Sequence, residues 1–290
     1  VRKYPNVQFC SAIGNQAHTA GYSNYSNAYA KIHEGRYVSG VVAGMKLNEM
    51  ISNGEISSSE AKIGFVGTFT YAEVISAYTA FFLGAKSVCP SVTMDVKFTQ
   101  SWYDAQVERN TAEELIDNGC VIISQYSDST GAPAICEKKG VYNVSYNGST
   151  ADSFPNTSLV STKINWEPYF RYMIKSAANG QKMPGDWCGG IAENSVEIIG
   201  LNTEICAPNT QQQVSLVMKK LADGSINVFD TSMFTVHGKI LTSYLADVDT
   251  DPMFEGDTQV VKNGVFLESE YRSAPYFDVR IDGITLINEA

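Results

Sequence analysis

Between Lys62 and Asn147, short apolar runs alternate with amphipathic stretches, and this alternation constrains the chain more than any other feature. Lys62-Ile63-Gly64-Phe65-Val66-Gly67 has the form of a strand buried on both faces. Glu73 to Ala85 carries Val74, Ala77, Tyr78, Phe81 and Phe82 at helical spacing. Val92 to Phe98 reads as the next strand. Asp104 to Asn118 reads as the next helix, with Ala105, Ala112, Leu115 and Ile116 inward and Asn118-Gly119 as its stop. The strand Cys120 to Ile123, a short helix over Gly131 to Lys139 and the strand Val141 to Val144 continue the series. Strand and helix recur at roughly the 30-residue spacing of a βαβ unit, which builds a parallel sheet covered by helices on both faces. The segment predicts a doubly wound α/β lobe.

The flanks predict more of the same architecture. Val7 to Cys10 reads as a strand and Ala30 to Met50 as a long helix. Gly40 and Gly44 lie four apart in that helix, where they let its backbone approach a sheet closely; the segment is too polar for a membrane dimer motif. Farther on come a strand (Leu159 to Ile164), a helix from near Asn165, a strand (Val196 to Leu201) and a helix (Thr210 to Leu221). From Ser225 the pattern changes to alternating Gly, Asp, Thr and aromatic residues, as in hairpins and loops. A chain of 290 residues suits two cores at ~150 residues each. The expected organisation is 1–61 as part of lobe one, 62–158 as lobe two, 159–224 as a return segment contributing to lobe one and the hinge, and 225–290 as a β-rich C-terminal extension.

Charge narrows the partners. Lys plus Arg total 21 against 31 Asp plus Glu, a formal charge of −10, which repels phosphate backbones and anionic lipid surfaces. Nucleic acid is not an expected partner. No apolar run approaches the ~20 residues needed to span a bilayer. Val1-Arg2-Lys3-Tyr4-Pro5 has no apolar stretch behind it, so any export signal is expected to lie outside this sequence. The three histidines (18, 33, 237) are far apart, and the six cysteines form no CxxC pair, so no metal or other cofactor is expected. Cys89, Cys120 and Cys136 sit in or beside apolar segments as buried thiols; Cys188 and Cys206 flank one strand, which leaves a pairing open.

In open α/β sheets, ligands bind beyond the carboxyl ends of the strands. Four strand exits here are rich in polar and aromatic groups: Gly67-Thr68-Phe69-Thr70, then Thr99 to Asp104 with Trp102 and Tyr103, then Ser124 to Ser129 with Tyr126 and Asp128, then Ser145-Tyr146-Asn147-Gly148. Aromatic faces stack on a flat polar ring while carboxylates accept from its N–H groups. Each residue also has a structural reading. Trp102 and Tyr103 can cover the core, Asp104 can cap the following helix, Asp128 can cap the helix near Gly131, and Asn147-Gly148 is a common turn pair. Neither GxGxxG nor GxxxxGK[ST] is present, which argues against a nucleotide-phosphate site. No nucleophile, base or metal cluster accompanies the carboxylates, so an enzyme acting through Asp104 and Asp128 is the least supported reading.

Eight segments in sequence order carry a family resemblance. They are Tyr4 to Phe9, Gly35 to Gly44, Lys62 to Gly67, Phe82 to Val88 before a proline, Ser101-Trp102-Tyr103-Asp104, Gln125 to Ser129, Asn165-Trp166-Glu167-Pro168-Tyr169, and Trp187-Cys188-Gly189-Gly190. Together they resemble the basic-membrane-protein family of ABC-transporter substrate-binding proteins, purine and purine-nucleoside binders of the type I periplasmic-binding-protein fold. Trp-Tyr-Asp, Asp-Ser and Asn-Trp-x-Pro-Tyr look most like the branch that binds free purine bases. The resemblance implies two doubly wound parallel-sheet lobes joined by a hinge, closing on a ligand and docking on a membrane permease. By motif match, Trp102, Asp128, Asn147, Trp166 and the loop Trp187 to Gly190, with Gly189 and Gly190, would line the cleft, beside Tyr126 and Asp104. Trp102 would stack on the ring while Asp128 and Asn147 accept and donate along its edge.

Two departures shape the expectation. Many family members carry two aspartates where this chain has Ser145 and Asn147, which disfavours ribose recognition and favours a base or a less basic ligand. The family normally has about two more βα units ahead of Tyr4, on the order of 60 residues, so lobe one is expected to be N-terminally incomplete here. The implied protein is a non-enzymatic, extracytoplasmic substrate-binding lipoprotein at the cell surface or in the periplasm, with membrane contact only through a lipid anchor outside this sequence. It would capture a purine base or nucleoside for uptake. The alternative is a ligand-sensing receptor module of the same fold.

Overall fold

The computed structural model describes residues 1–249, 253 and 255–289. Strand β1 (Phe9–Ala12) is followed by a one-turn helix α1 (Ala17–Ala20), strand β2 (Tyr25–Ala30) and the long helix α2 (Ile32–Ser52). The series read from periodicity comes next: β3 (Lys62–Gly67), α3 (Ala72–Val88), β4 (Thr93–Phe98), α4 (Ala105–Asp117), β5 (Ile122–Gln125), α5 (Gly131–Lys139) and β6 (Tyr142–Tyr146). Then follow β7 (Ser158–Ile164), α6 (Glu167–Ala178), β8 (Asp186–Gly189), β9 (Val196–Ile199) and α7 (Thr210–Ala222). Short strands close the order: β10 (Leu245–Ala246), β11 (Thr258–Gln259), β12 (Val261–Lys262), β13 (Val265–Phe266) and β14 (Ile284–Leu286).

These elements build two main sheets, one parallel and one mostly parallel, with two short antiparallel pairs, β10-β11 and β12-β13. The larger runs β14-β4-β3-β5-β6-β7-β9, with every neighbouring pair parallel except β7 and β9. After β3 the chain places β4 on one side, then crosses over to place β5 on the other. Strand order therefore reverses at β3 and β5, the switch point at which adjacent loops diverge and open a crevice. Helices cover both faces. The α2 and α3 side packs Val38, Val41, Val42, Phe81 and Phe82 against Phe65 and Val96, while the α4 and α5 side packs Ala112, Leu115 and Ile135 against Val66 and Ile123.

Helix α2 lies with this large sheet, although it falls inside the 1–61 segment expected in lobe one. The reason is steric. A Cβ on Gly40 would stand 2.0 Å from the Phe81 carbonyl oxygen, and one on Gly84 would stand 2.0 Å from that of Tyr37. The glycine pair in α2 thus makes a close approach to another helix, α3, rather than to a sheet.

The smaller sheet is β1-β2-β8, parallel throughout with β2 central. Ala28, Tyr169, Met173 and Met183 form its core, with Trp166 and Trp187 packed against them. The chain passes between the sheets near Lys31, Asn165 and Gly190, where Lys31 N–H donates to Gly189 O (2.8 Å) and Asn165 N–H to Ser195 O (2.9 Å). The described residues of 225–289 are mostly loop. They contribute β14 to the large sheet and bury Phe229, Phe266 and Phe277 in the main core, Phe229 and Phe277 stacking at 4.1 Å. All six cysteines are free, so the pairing left open for Cys188 and Cys206 does not form. No helix among the described residues is long and apolar enough to cross a membrane.

Candidate functional site

The carboxyl edge of the large sheet opens into a cleft of about 180 Å³ lined by Ile13, Glu73, Trp102, Tyr126, Asp128, Tyr146 and Asn147. Its side chains arrive from five strand exits. Glu73 lies in the first turn of α3, after β3. Trp102 follows β4, Tyr126 and Asp128 follow β5, and Tyr146 and Asn147 end or follow β6. Ile13 comes from beyond β1 and brings the smaller sheet to the rim. The cleft sits at the reversal of strand order, between the exits of β3 and β5.

Its floor is aromatic and buried. Tyr126 and Tyr146 stack with centroids 4.3 Å apart and planes 17° from parallel. Beneath them lies Arg36, fully buried, over the rings of Phe65, Phe81 and Tyr146 at 5.1–5.8 Å. Its guanidinium donates to Ser124 Oγ (2.5 Å) and Ser145 O (3.5 Å) and makes no carboxylate ion pair among the described residues. Burial pulls its pKa down to about 10, still charged at neutral pH. The upper wall is an exposed aromatic group: Trp102 lies 5.2 Å from Phe69, which itself stacks on Tyr71 at 5.1 Å.

The polar groups are held in fixed positions. Asp128 Oδ1 accepts from Asn147 Nδ2 (2.9 Å), and the Asp128 N–H donates to Trp102 O (3.0 Å), tying the β4 and β5 exits together. Asn147 takes φ of 63°, a left-handed conformation that Asn tolerates better than most side chains. Glu73 Oε1 accepts from the Tyr126 hydroxyl (3.0 Å). Burial lifts the Glu73 pKa above the usual carboxylate range, and nearby Asp128 and Glu268 push the same way against the Tyr126 hydrogen bond. Burial raises the Tyr126 hydroxyl well above its ordinary value, so it stays a donor.

Of the residues singled out in the sequence, Trp102, Tyr126, Asp128 and Asn147 meet in this cleft. Asp104 does not line it. Its carboxylate accepts from the N–H groups of Gln106 and Val107 (3.1 and 3.0 Å), capping α4, while Glu108 Oε1 accepts from the Asp104 N–H. Asp128 is no helix cap, because Ser129 Oγ takes the Gly131 N–H at the start of α5 (3.0 Å). Trp166 and Trp187 flank Tyr169 at 6.4 and 5.2 Å in the small-sheet core. Trp187 also borders a separate hollow with Asp186, Cys188 and the segment 269–273. The Trp187 to Gly190 stretch is strand β8 and its exit rather than a loop. Gly189 packs under the Trp187 ring, and a Cβ on Gly190 would meet the Glu34 carboxylate at 2.4 Å.

Sequence reasoning missed Glu73, Tyr146 and Ile13 as lining residues. Glu73 reaches the site because β3 neighbours β5, an adjacency that strand periodicity does not carry. Tyr146 was visible beside Asn147 at a strand exit. Among the described residues no group of three or more His, Cys, Asp or Glu is placed to hold a metal ion. The lining side chains themselves can stack on a flat ring and can accept and donate hydrogen bonds.

Comparison with known proteins bears on the family and the fold. A purine-binding protein of Brucella abortus is 31% identical over 192 residues, 65% of this chain and 50% of that protein. A putative ABC transporter glucose-binding protein of Haloferax volcanii is 26% identical over 231 residues, 80% of this chain and 55% of that protein. The chain thus spans about half the length of the curated relatives it matches. A solved ABC transporter solute-binding protein of Aeropyrum pernix superposes with a TM-score of 0.64 at 14% identity, over 78% of this chain and 71% of that one, a likeness of fold. The family model for PnrA-like ABC transporter substrate-binding proteins, Bmp, matches residues 2–228, and the chain belongs to that family.

Proposed function

We propose that this chain captures a purine base or purine nucleoside outside the cytoplasm and delivers it to an ABC transporter permease. The observation that carries the reading is the stacked Tyr126–Tyr146 floor with Trp102 above and the Asp128–Asn147 pair at the edge, set at the switch point of the large sheet. A planar heterocycle fits such a cleft. Stacking on an aromatic ring is worth ~1–3 kcal/mol per base, and a hydrogen bond to a charged acceptor adds ~1.5–3 kcal/mol. The Brucella relative, described as purine-binding, supports the same ligand class. A base is favoured over its nucleoside, because Ser145 is buried and bonds to Thr150 Oγ1 (2.8 Å) instead of facing the cleft. Membrane attachment through a lipid anchor outside this sequence completes the proposal.

A thermal-shift screen of purine bases, purine nucleosides and glucose tests it. Purines should raise the melting temperature, Trp102→Ala should weaken binding about tenfold or more, and Asp128→Ala should weaken it comparably. Equal stabilisation of wild type and both variants would remove the cleft from the reading, and stabilisation by glucose in place of purines would remove the ligand class. A bound nucleoside should return chemically unchanged after incubation; release of free base would instead mark an enzyme.

A further inference from the structure

Ile13 carries two costs that no contact within the chain offsets. Its φ is 62°, in the left-handed region, where a β-branched side chain crowds the backbone. Of the eight non-glycine residues with positive φ among the described residues, four are Asn, and Ile13 is the one with a β-branched side chain. It is also half exposed (51%) and belongs to none of the hydrophobic cores. The local chain fixes this conformation. The Ile13 N–H donates to Ala28 O (2.8 Å), which carries the β1–β2 ladder one residue past β1. The turn that follows is so tight that a Cβ on Gly14 would stand 2.6 Å from Ser11 Oγ and 2.7 Å from Asn27 Oδ1. Glycine is therefore needed at 14, and the left-handed residue falls at 13, where the isoleucine lines the cleft instead of the small-sheet core.

Of the seven residues lining the cleft, Ile13 is the one that the small sheet supplies; the other six come from the exits of the large sheet. From this coincidence of strain, exposure and position we propose that Ile13 is a ligand contact, an apolar lid that the small sheet brings over a ring seated on the Tyr126–Tyr146 floor, and that it governs how slowly the ligand leaves. The inference rests on the purine reading and adds to it a residue from the other sheet. The chain joins the sheets near Lys31, Asn165 and Gly190, so rotation about those crossings changes the distance between Ile13 and the tyrosine floor. Closing that distance buries the half of the residue that water touches, and apolar burial stabilises the bound state without a polar partner. The contact forms after the ligand has entered, so it slows release and leaves entry unchanged. Asn tolerates the left-handed conformation better than Ile does, so an isoleucine here serves the closed, liganded state and not the stability of the empty protein.

Stopped-flow tryptophan fluorescence and thermal melting of the full chain test the assignment, with adenine, guanine, hypoxanthine and their nucleosides as probes. Wild type, Ile13→Asn and Ile13→Leu are compared. Ile13→Asn removes the apolar lid and relieves the backbone. Without ligand it should melt at or above the wild-type temperature, while every purine that binds should dissociate about three- to tenfold faster, the factor expected of losing about half of an isoleucine's burial. Association rates should stay at the wild-type value. Ile13→Leu keeps the apolar bulk and should retain slow release. Dissociation unchanged in Ile13→Asn would overturn this inference and leave the proposed function standing. A lower melting temperature for ligand-free Ile13→Asn would overturn it as well, because the side chain would then serve packing in the empty protein. Failure of all the probes to bind the wild type would overturn both this inference and the proposed function.

Discussion

Asp104 and Asp128 both follow strands of the same sheet, and both stand next to an aromatic residue in sequence or space, yet of the two only Asp128 lines the cleft. Asp104 has its carboxylate committed to two backbone N–H groups of α4. Loss of a cap of this kind costs about 1 kcal/mol. Asp104→Ala should therefore lower the denaturation midpoint by an amount of that size and leave purine affinity at the wild-type value; a tenfold loss of affinity at unchanged stability would return Asp104 to the site. The sequence already showed the cap, since an aspartate directly before an apolar-periodic stretch is a helix start signal. It did not show which carboxylate would line the cleft. That depends on Ser129 taking the cap of α5 and on Asn147 adopting a left-handed turn, two events separated from Asp128 by local geometry rather than residue type.

At the scale of elements, the legible parts are those whose signal is local. Strands β3 to β6 and helices α3 to α5 are short apolar or amphipathic segments in regular alternation, and they form within a few residues of the expected bounds. Strand β2 was illegible because Ser26 and Asn27 are buried in it, so it lacks an apolar run, and β8 is hidden by Gly189 and Asp186. Where α2 would pack was not readable either, because its contacts on α3, Gly40 with Phe81 and Tyr37 with Gly84, join residues far apart in sequence and form only in the folded chain. That crossing yields a prediction. Gly84→Ala favours an isolated helix by ~0.5–1 kcal/mol, but its methyl would stand 2.0 Å from the Tyr37 carbonyl oxygen, and Gly40 meets Phe81 in the same way. Overpacking of a tight contact costs about 1–3 kcal/mol. Gly84→Ala should therefore destabilise the protein in urea titration despite its better helix propensity, whereas a stabilised variant would show that α2 and α3 separate easily.

The whole molecule is held together by its C-terminal segment as much as by the crossings between the sheets. Ser273 bonds through its N–H and hydroxyl to Asp186 of the small sheet, the His18 ring meets Val248 O at 2.7 Å, and Glu268 pairs with His33 (3.0 Å) and accepts from Ser76 Oγ (2.8 Å). His33 stands one residue into α2, just past the Lys31 crossing, so this buried pair fastens the segment where the sheets meet. Desolvation alone would lower the His33 pKa, but the charge and hydrogen bond of Glu268, with Glu34 adding and Lys31 opposing, raise it. Burial would raise the Glu268 pKa, yet His33, Ser269 and Ser76 bring it below its ordinary value. The signs fix the pH window. His33 contributes stability fully below its unfolded value of 6.5 and loses it as pH rises through the raised folded value. Glu268 contributes above its unfolded value of 4.5 and loses it as pH falls through the depressed one. The pair is therefore strongest between these two ordinary values, where breaking a buried ion pair by removing one partner costs about 3–5 kcal/mol. Melting curves of wild type and Glu268→Gln should differ most inside that window and converge as pH climbs past the His33 transition. A difference that stays constant from acid to alkaline pH would mean that Glu268 acts through packing and its serine hydrogen bonds, with no charge on His33 involved.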